Sequence, residues 1–293
     1  MESAMRFLKS CLLCFLLSCL ISVTLADSIV GVGQDSSASD KPIVIGYTDS
    51  KGFFSDKKIQ DYLNQGLKHS ISFRQYQDRC HLLAAVESGD VDLFYGHMPE
   101  LYAVSNNNLP YEPLLLAVSS SSDSQVGSQT YNVGIVSYDP KIRSVSDLKG
   151  QRVALSDKLS ISGNIIPRYL LKAYGIGFKS LGVKTNEDAK KALLKDQVKA
   201  ASVWWPSTST VPVQGRVLLQ VHGVPNPIII AKKDFPQKNS DSYALVAKLI
   251  SFPNLSLGMN YHVFFTYFHD EGLYKAWIQR LTQAGVLGDL CSK

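Results

Sequence analysis

No apolar run beyond the first 26 residues of this sequence is long enough to span a membrane as a helix. The N-terminal run itself extends only over residues 11–23, and it follows a short basic region that contains Arg6 and Lys9. Small residues at 24–26 fit the positions that signal peptidase reads. Because this order of segments is typical of a secretory signal, we predict that residues 1–26 are a signal peptide and that the mature protein is exported.

Cysteine is scarce, and its distribution excludes a cysteine-ligated metal centre. Three of the five cysteines lie within the predicted signal, which leaves Cys80 and Cys291 without the close spacing of metal ligands. In an exported protein these two residues form either a disulfide or a pair of buried thiols, and both alternatives stay open. Cys19 offers a second interpretation of the N-terminus, as a lipoprotein tethered by an acyl chain. Leu17 fits that pattern poorly, so cleavage after Ala26 is the preferred interpretation.

A strong excess of either charge is also missing. Lysine and arginine number 30, and aspartate and glutamate number 25, which gives a formal net charge of +5 without a clustered basic segment. A nucleic-acid-binding protein needs a basic patch or stripe, so nucleic acid is not an expected partner. The mild positive charge is compatible with solubility and with weak attraction of anions.

The motifs of the common catalytic and metal sites are absent as well. The sequence has no nucleophile elbow, no HExxH, no CxxC and no phosphate-binding P-loop. His262 and His269 lie seven residues apart on a predicted helix, but a metal site needs three or four ligands and no third ligand accompanies them. We therefore predict a protein without a metal or cofactor and without catalytic residues.

Helix and strand patterns alternate along the chain after a small, polar leader at residues 27–40. Residues 82–96 and 188–205 share one plan, in which a helix is followed by a short polar turn and a strand. A serine-rich spacer at residues 119–130 separates two strand-like runs, and residues 261–287 are predicted to be mostly helical. The repeated plan indicates an α/β protein with two largely parallel sheets, although one doubly wound sheet gives the same alternation.

Polar and aromatic residues follow four of the predicted strands, at the ends where open α/β sheets bind ligands. These residues are Tyr47, Thr48, Asp49, Tyr95, His97, Trp204 and Trp205, together with the segment that begins at Ser156. Tyr47, Tyr95 and Trp205 are candidates for stacking on a flat ligand or for facing a cation. His97 is a candidate hydrogen-bond donor to the ligand. Because Trp204 alternates with Trp205 along one strand, we assign Trp204 to the core.

The segment "SDKLSISGNIIPRYLLKAYGI" (residues 156–176) contains more hydrogen-bonding residues than one helix cap requires. The residues in question are Ser160, Ser162, Gly163 and Asn164. They precede an apolar helical repeat, where the first N–H groups of a helix lack partners and carry a partial positive charge. Glycine permits close approach of the backbone, and Pro167 delays the start of the regular helix. The composition predicts an oxyanion site, and an ordinary capped turn is the alternative.

Residues 131–176 resemble the solute-binding proteins of phosphonate-type ABC transporters. That family carries a strand, an "sl-DLKGk-va" segment, "STSG" and a helix with an early proline; the counterparts here are "VSDLKGQRVALSD", "SISG" and Pro167. "VPNPIIIAKKDFP" and "SGDVDLFYGHMPELY" resemble two further segments of the family. The likeness extends over about residues 41–250.

The resemblance implies a type II periplasmic-binding-protein fold, in which two α/β lobes close on a ligand in the cleft between them. Each lobe would be a mostly parallel sheet flanked by helices. Lobe 1 would take residues 41–120 and 236–293, and lobe 2 would take residues 130–235. In this family the serine-rich turn holds the phosphonate oxygens, which implies that role for the four turn residues. Tyr47 and the segment 95–97 would meet the ligand from lobe 1.

The sequence departs from the family pattern at three places. Ile161 stands where the family usually has threonine, and Glu187 stands at or near a family histidine that contacts phosphonate. Family carboxylates that receive a ligand amine are replaced in the region of Trp204 and Trp205. Because a glutamate beside an oxyanion is repulsive, Glu187 is a candidate for setting a different ligand preference.

These observations predict a periplasmic, monomeric solute-binding protein. It would capture a phosphonate, a phosphate ester or another small oxyanion and present it to an ABC permease in the inner membrane. A binder of a flat or cationic metabolite is the alternative on the same fold. The rival functions are a ligand sensor that signals to a membrane receptor kinase and an enzyme. The enzyme would have to use His97 or Glu187, and neither has a visible partner in the sequence.

Overall fold

Two β-sheets flanked by helices form the described part of the chain. The computed structural model describes residues 41–48, 53–121, 127–209, 215–238, 241–252, 255–256, 261–288 and 291. The predicted signal peptide, the leader, the lipoprotein alternative at Cys19 and the candidate Asp49 lie outside these residues. The mixed α/β architecture confirms the predicted fold class.

Strands and helices are numbered here in chain order. The strands β1 to β12 are Ile43–Tyr47, Ile71–Gln75, Leu93–Gly96, Tyr111–Ser121, Thr130–Ser137, Arg152–Leu155, Lys179–Gly182, Ala200–Pro206, Arg216–Pro225, Ile228–Lys232, Leu255–Ser256 and Tyr261–Tyr267. The helices α1 to α8 are Lys57–Asn64, Arg79–Glu87, Met98–Asn106, Ile166–Ala173, Asn186–Leu194, Phe235–Lys238, Asp241–Ser251 and Glu271–Gln283. Short 3-10 turns occupy Phe53–Ser55 and Val145–Leu148, and a π-helical turn at Ile161–Ile165 leads into α4.

Both sheets are mixed rather than mostly parallel. The first has the order β11-β12-β4-β10-β3-β1-β2, and β1 is parallel to β2 and β3. The second has the order β7-β6-β8-β5-β9, and β6 is parallel to β7 and β8. The remaining neighbours are antiparallel. The predicted parallel arrangement fails at β5 and β10, which enter directly from the other sheet, and at β12, which pairs antiparallel with β11 and β4. Strands that are not joined by a helical crossover are free to pair in the antiparallel direction.

Strand β12 occupies residues that the sequence analysis assigns to a helix. Its aromatic and β-branched residues suit a strand, and it pairs antiparallel with β4 from Tyr261 opposite Ser121 to Tyr267 opposite Leu115. His262 therefore lies on a strand and does not share a helix with His269. Among the described residues no three metal-binding side chains cluster, and no helix there has the length and apolarity to cross a membrane.

The chain passes between the two sheets twice, from β4 to β5 and from β9 to β10. The predicted boundary loop at 119–130 coincides with the first passage, although β4 extends to Ser121. Strand β10 falls within the range 130–235 that was assigned to lobe 2, yet it pairs with β3 and β4 of the first sheet. Membership of the sheets thus differs from the predicted lobe boundary at this strand.

Asn226 connects the two passages. Its buried side-chain amide donates to the carbonyl oxygens of Ala117 (3.0 Å) and Ser128 (2.7 Å). Its backbone N–H donates to the carbonyl of Gln129 (2.9 Å), and its own carbonyl accepts from the hydroxyl of Tyr274 in α8. One residue of the second passage is therefore bonded to both sides of the first passage and to the C-terminal helix.

Cys80 and Cys291 form a disulfide, which decides between the two alternatives that the sequence left open. Their Cα atoms are 5.4 Å apart, and 211 residues of sequence separate them. The bond attaches the chain beyond α8 to the first turn of α2.

Reducing this disulfide is expected to lower the free energy of unfolding by about 4 kcal/mol, because a cross-link over so long a loop restricts the unfolded chain. Urea unfolding of the oxidised protein with and without reductant measures the difference. The Cys80→Ser/Cys291→Ser double variant should match the reduced protein and ignore the reductant. An unfolding midpoint that full reduction does not move would contradict the expectation.

Substituting Asn226→Ala is expected to lower the free energy of unfolding by about 2–3 kcal/mol, because buried carbonyls on both passages lose their donors. Thermal and urea unfolding measure the loss. Asn106→Ala is the control, because Asn106 is exposed at the end of α3. Equal stability of the two variants would show that the Asn226 amide contributes nothing.

Candidate functional site

Side chains that follow the carboxyl ends of strands in the two sheets approach each other. Arg79 follows β2 and begins α2, while Asp157 follows β6 in the second sheet. The Arg79 Nε atom lies 4.0 Å from Asp157 Oδ1. Because ligands of open α/β sheets bind outside the carboxyl ends of the strands, this meeting point is the candidate site.

A buried ion pair organises the first-sheet side of the site. Arg79 Nη1 donates to Glu100 Oε1 at 2.5 Å, and only 1% of the Glu100 side chain is exposed to solvent. The second carboxylate oxygen accepts the backbone N–H of His97 at 2.9 Å. Burial lowers the pKa of Arg79, but the charge of Glu100, the hydrogen bond to it and the charge of Asp157 together outweigh this effect and raise the pKa. The guanidinium therefore stays charged, and Glu100 has both oxygens engaged.

His97 presents an uncharged imidazole to this edge. Burial, reinforced by the charge of Arg79, holds the pKa of His97 well below its ordinary value. Its Nδ1 atom is buried and has no hydrogen-bond partner among the described residues. The ring also packs edge-on against Tyr95, with centroids 5.8 Å apart. A neutral imidazole with one unsatisfied nitrogen can donate to or accept from a ligand, depending on its tautomer.

Tyr131 brings a hydroxyl from the second sheet to the same place. Its ring is buried and packs against Trp204 at 6.0 Å. Burial raises the pKa of Tyr131, which the charge of Arg79 partly offsets, so the hydroxyl remains a protonated donor. Tyr95 and Glu100 also act on this pKa, which places Tyr131 beside the first-sheet cluster.

The serine-rich turn lies on the second-sheet side. Ser160 caps it by accepting the Gly163 N–H at 3.1 Å, and Ser162 Oγ accepts from Asn186 Nδ2 at 3.0 Å. Asn164 is buried, donates to the Ser156 carbonyl at 2.9 Å and accepts from Arg168. Regular helix begins only after the π-helical turn, as the proline predicts.

Gly163 is required by the space around it. A Cβ atom there would lie 1.8 Å from Ser156 Oγ and 2.2 Å from Asn186 Oδ1. No larger residue fits without moving the turn away from these side chains. The close approach that the sequence analysis predicted for this glycine is thus made to protein atoms.

Four buried polar atoms lack hydrogen-bond partners in the described residues, and two of them, Ser156 Oγ and Asn186 Oδ1, lie beside Gly163. In the described residues they are His97 Nδ1, Ser156 Oγ, Asn186 Oδ1 and Ser209 Oγ. They follow β3, β6, β7 and β8, respectively, so each lies beyond the carboxyl end of a parallel-sheet strand. Each unmade hydrogen bond of a buried group costs about 1–3 kcal/mol, and such groups are rare in folded proteins. Unsatisfied polar atoms beyond strand ends of both sheets are therefore the feature from which a candidate site is inferred.

Two of the predicted site residues, Tyr47 and Trp205, are packed in the protein core. Tyr47 packs in the core of the first sheet, because it shares a strand face with the buried Ile43 and Ile45. Trp205 is only 2% exposed and packs beside Gly134, while Trp204 is the half-buried member of the pair. Tyr47 and Trp205 are therefore buried side chains in the described structure, and their assignment to the walls of the cleft stays a prediction.

Glu187 is exposed in the first turn of α5, and its neighbour Asn186 is the residue that reaches the serine turn. Sequence reasoning also missed Arg79, Glu100 and Tyr131. A signal existed for Glu100, which stands three residues after His97 as in a capping box. Arg79 and Glu100 lie on two different helices, so no local sequence pattern indicates that they pair.

Lowering the pH from about 7 to about 5 is expected to destabilise the protein through His97. The folded state keeps this imidazole neutral, whereas the unfolded chain binds a proton below a pKa of about 6.5, so stability present at higher pH is lost. Unfolding free energies measured along this pH range should depend less on pH in His97→Gln. The exposed His81 provides the control, since His81→Gln should keep the wild-type slope. An unchanged slope in His97→Gln would overturn this assignment.

Solved structures show the same fold. XAC2383 from Xanthomonas citri, bound to chloride ion, has a TM-score of 0.65 at 14% identity and covers 84% of this chain and 99% of its own. PhnD1 from Prochlorococcus marinus, in complex with methylphosphonate, has a TM-score of 0.63 at 12% identity and covers 84% and 99%. The binding protein component of an ABC phosphonate transporter (PA3383) from Pseudomonas aeruginosa has a TM-score of 0.60 at 16% identity and covers 83% and 89%.

A family profile described as "ABC transporter, phosphonate, periplasmic substrate-binding protein" matches residues 56–248. This match spans more than half of the chain and includes both sides of the candidate site. It confirms the resemblance carried by residues 131–176. The chain therefore belongs to the family of periplasmic substrate-binding proteins of phosphonate ABC transporters.

Proposed function

We propose that this protein binds a phosphonate or another small oxyanion between its two sheets and delivers it to an ABC permease. The observation that carries the proposal is the set of four buried, unpartnered polar atoms, all beyond the carboxyl ends of strands. A bound ligand between the two sheets would supply the missing hydrogen bonds. The family description supports a binding role rather than a catalytic one.

The polar groups around this place favour an oxyanion. The N–H groups of Ile161 and Ser162 are the first of a helical segment, so they lack intrahelical partners and carry a partial positive charge. Ser162 Oγ uses an acceptor site toward Asn186, which leaves its hydroxyl hydrogen available to a ligand. The Tyr131 hydroxyl adds a donor from the second sheet, and the Arg79 guanidinium adds donors from the side of the first sheet.

Closure of two lobes is the mechanism that this geometry supports. The two passages between the sheets are the connections about which the lobes would turn, and Asn226 bonds one passage to the other. We assign strands to lobes by sheet, which places β10 in lobe 1. Export by a signal peptide at residues 1–26 and a monomeric state belong to the same proposal.

Methylphosphonate is the probe of choice, because PhnD1 is known in complex with it. Isothermal titration of the mature protein should give binding, and Ser162→Ala should weaken it at least tenfold, about 1.4 kcal/mol, because one hydroxyl donor is lost. The matched control is Ser180→Ala, an exposed serine on β7 of the same sheet. An unchanged dissociation constant in Ser162→Ala would remove the turn from the site. Failure of the wild type to bind any small oxyanion would overturn the ligand class.

A further inference from the structure

Three charged side chains meet at the candidate site, and only one of them is positive. Arg79 donates to Glu100 at 2.5 Å, and its Nε atom lies 4.0 Å from Asp157. Glu100 is saturated by Arg79 and by the N–H of His97. The positive charge of Arg79 is thus already balanced by Glu100, and Asp157 adds one net negative charge.

Two further cations stand near this cluster in the chain, and neither forms an ion pair with Asp157 in the described residues. Lys158 is exposed directly after Asp157, and Arg168 donates its Nε–H to Asn164 Oδ1 at 2.7 Å. Burial and the charge of Arg79 keep His97 neutral by lowering its pKa, and burial keeps Tyr131 protonated by raising its pKa. Asp157 is partly accessible, with 35% of its side chain exposed. Its carboxylate therefore borders the space between the sheets.

Asp157 is also fixed next to the serine-rich turn. Its Oδ1 atom accepts the N–H of Leu159 at 2.9 Å, and its carbonyl accepts the N–H of Ser160 at 2.8 Å. An oxyanion held by the turn amides would lie close to this carboxylate. The repulsion from Asp157 is proportional to the charge of the ligand, so it is about twice as large for a doubly charged oxyanion as for a singly charged one. Taking a doubly charged ion out of water also costs more than taking out a singly charged one.

We infer that Asp157 is a specificity-determining residue that favours singly charged oxyanions over doubly charged ones. This inference rests on the proposed function and narrows its ligand class. The hydrogen-bond donors of the turn and of Tyr131 attract the ligand, and Asp157 adds a repulsion that is larger for a doubly charged ligand than for a singly charged one. Sulfonates and singly protonated phosphonates are the chemical classes that fit this balance.

Two probes of similar size separate the charge states. Methanesulfonate carries one charge, and methylphosphonate at about pH 8.5 carries two, since the second ionisation of a phosphoryl group lies below this pH. Titration calorimetry at this pH should show tighter binding of methanesulfonate by the wild type. In Asp157→Asn, methylphosphonate should gain about tenfold in affinity, and methanesulfonate should gain less than about threefold.

The substitution is conservative, because the asparagine oxygen can still accept the N–H of Leu159. Asp157→Glu keeps the charge and should keep the preference for methanesulfonate. Asp196→Asn is the matched control for net charge. It lies before β8, at the opposite edge of the sheet, and its positive φ of 53° is one that asparagine tolerates. This variant should bind both probes like the wild type.

The role of Asp157 and the proposed oxyanion function are tested by different outcomes. Equal gains for both probes in Asp157→Asn, or no gain for either, would overturn the role of Asp157 while leaving oxyanion binding intact. Preference of the wild type for doubly charged methylphosphonate would overturn it as well. If neither the wild type nor Asp157→Asn binds either probe, the proposed oxyanion function fails together with this inference.

Discussion

The carboxylate of Glu100 is buried, and the candidate site depends on the groups that pair with it. Its two oxygens fix Arg79 at the start of α2 and His97 at the start of α3. Arg79 in turn approaches Asp157 from the other sheet. Removing one member of a buried ion pair costs about 3–5 kcal/mol, so these side chains hold one another in position. The pair is therefore better understood as a positioning device than as a source of net stability.

At this edge, the hydrogen bonding that stabilises the fold conflicts with the open hydrogen-bonding groups that a ligand needs. Folding favours satisfied polar groups, yet the protein leaves buried atoms of His97, Ser156 and Asn186 without partners. The cost is offset by the large apolar cores of both sheets, by the hydrogen bonds of Asn226 and by the disulfide. A binding protein gains from such an arrangement, because the ligand then completes the hydrogen bonding of the closed state. Buried polar atoms without partners, in a fold that otherwise satisfies such groups, are expected at a functional site.

Much of the fold and part of the site could be predicted from sequence. Periodicity located β1, β3, β6 and β8, and the serine-rich turn with its glycine was found at the end of the correct strand. Single residues within strands were assigned less well. Which of Trp204 and Trp205 faces the core depends on strand orientation, and a shift by one residue reverses the answer. Strand β12 was taken for a helix because short aromatic runs fit both periods until a pairing partner is known.

The sequence by itself determined the alternation of helices and strands, the family and the position of the serine-rich turn, because these depend on local patterns and contiguous motifs. Tertiary structure alone decided which distant residues meet: Arg79 with Glu100 and Asp157, and Cys80 with Cys291. It also decided that both sheets are mixed, since strands that pass between sheets choose their direction by pairing. The physical reason is that charge balance, burial and pairing are set by neighbours in space, and a linear pattern carries no information about which neighbours those will be.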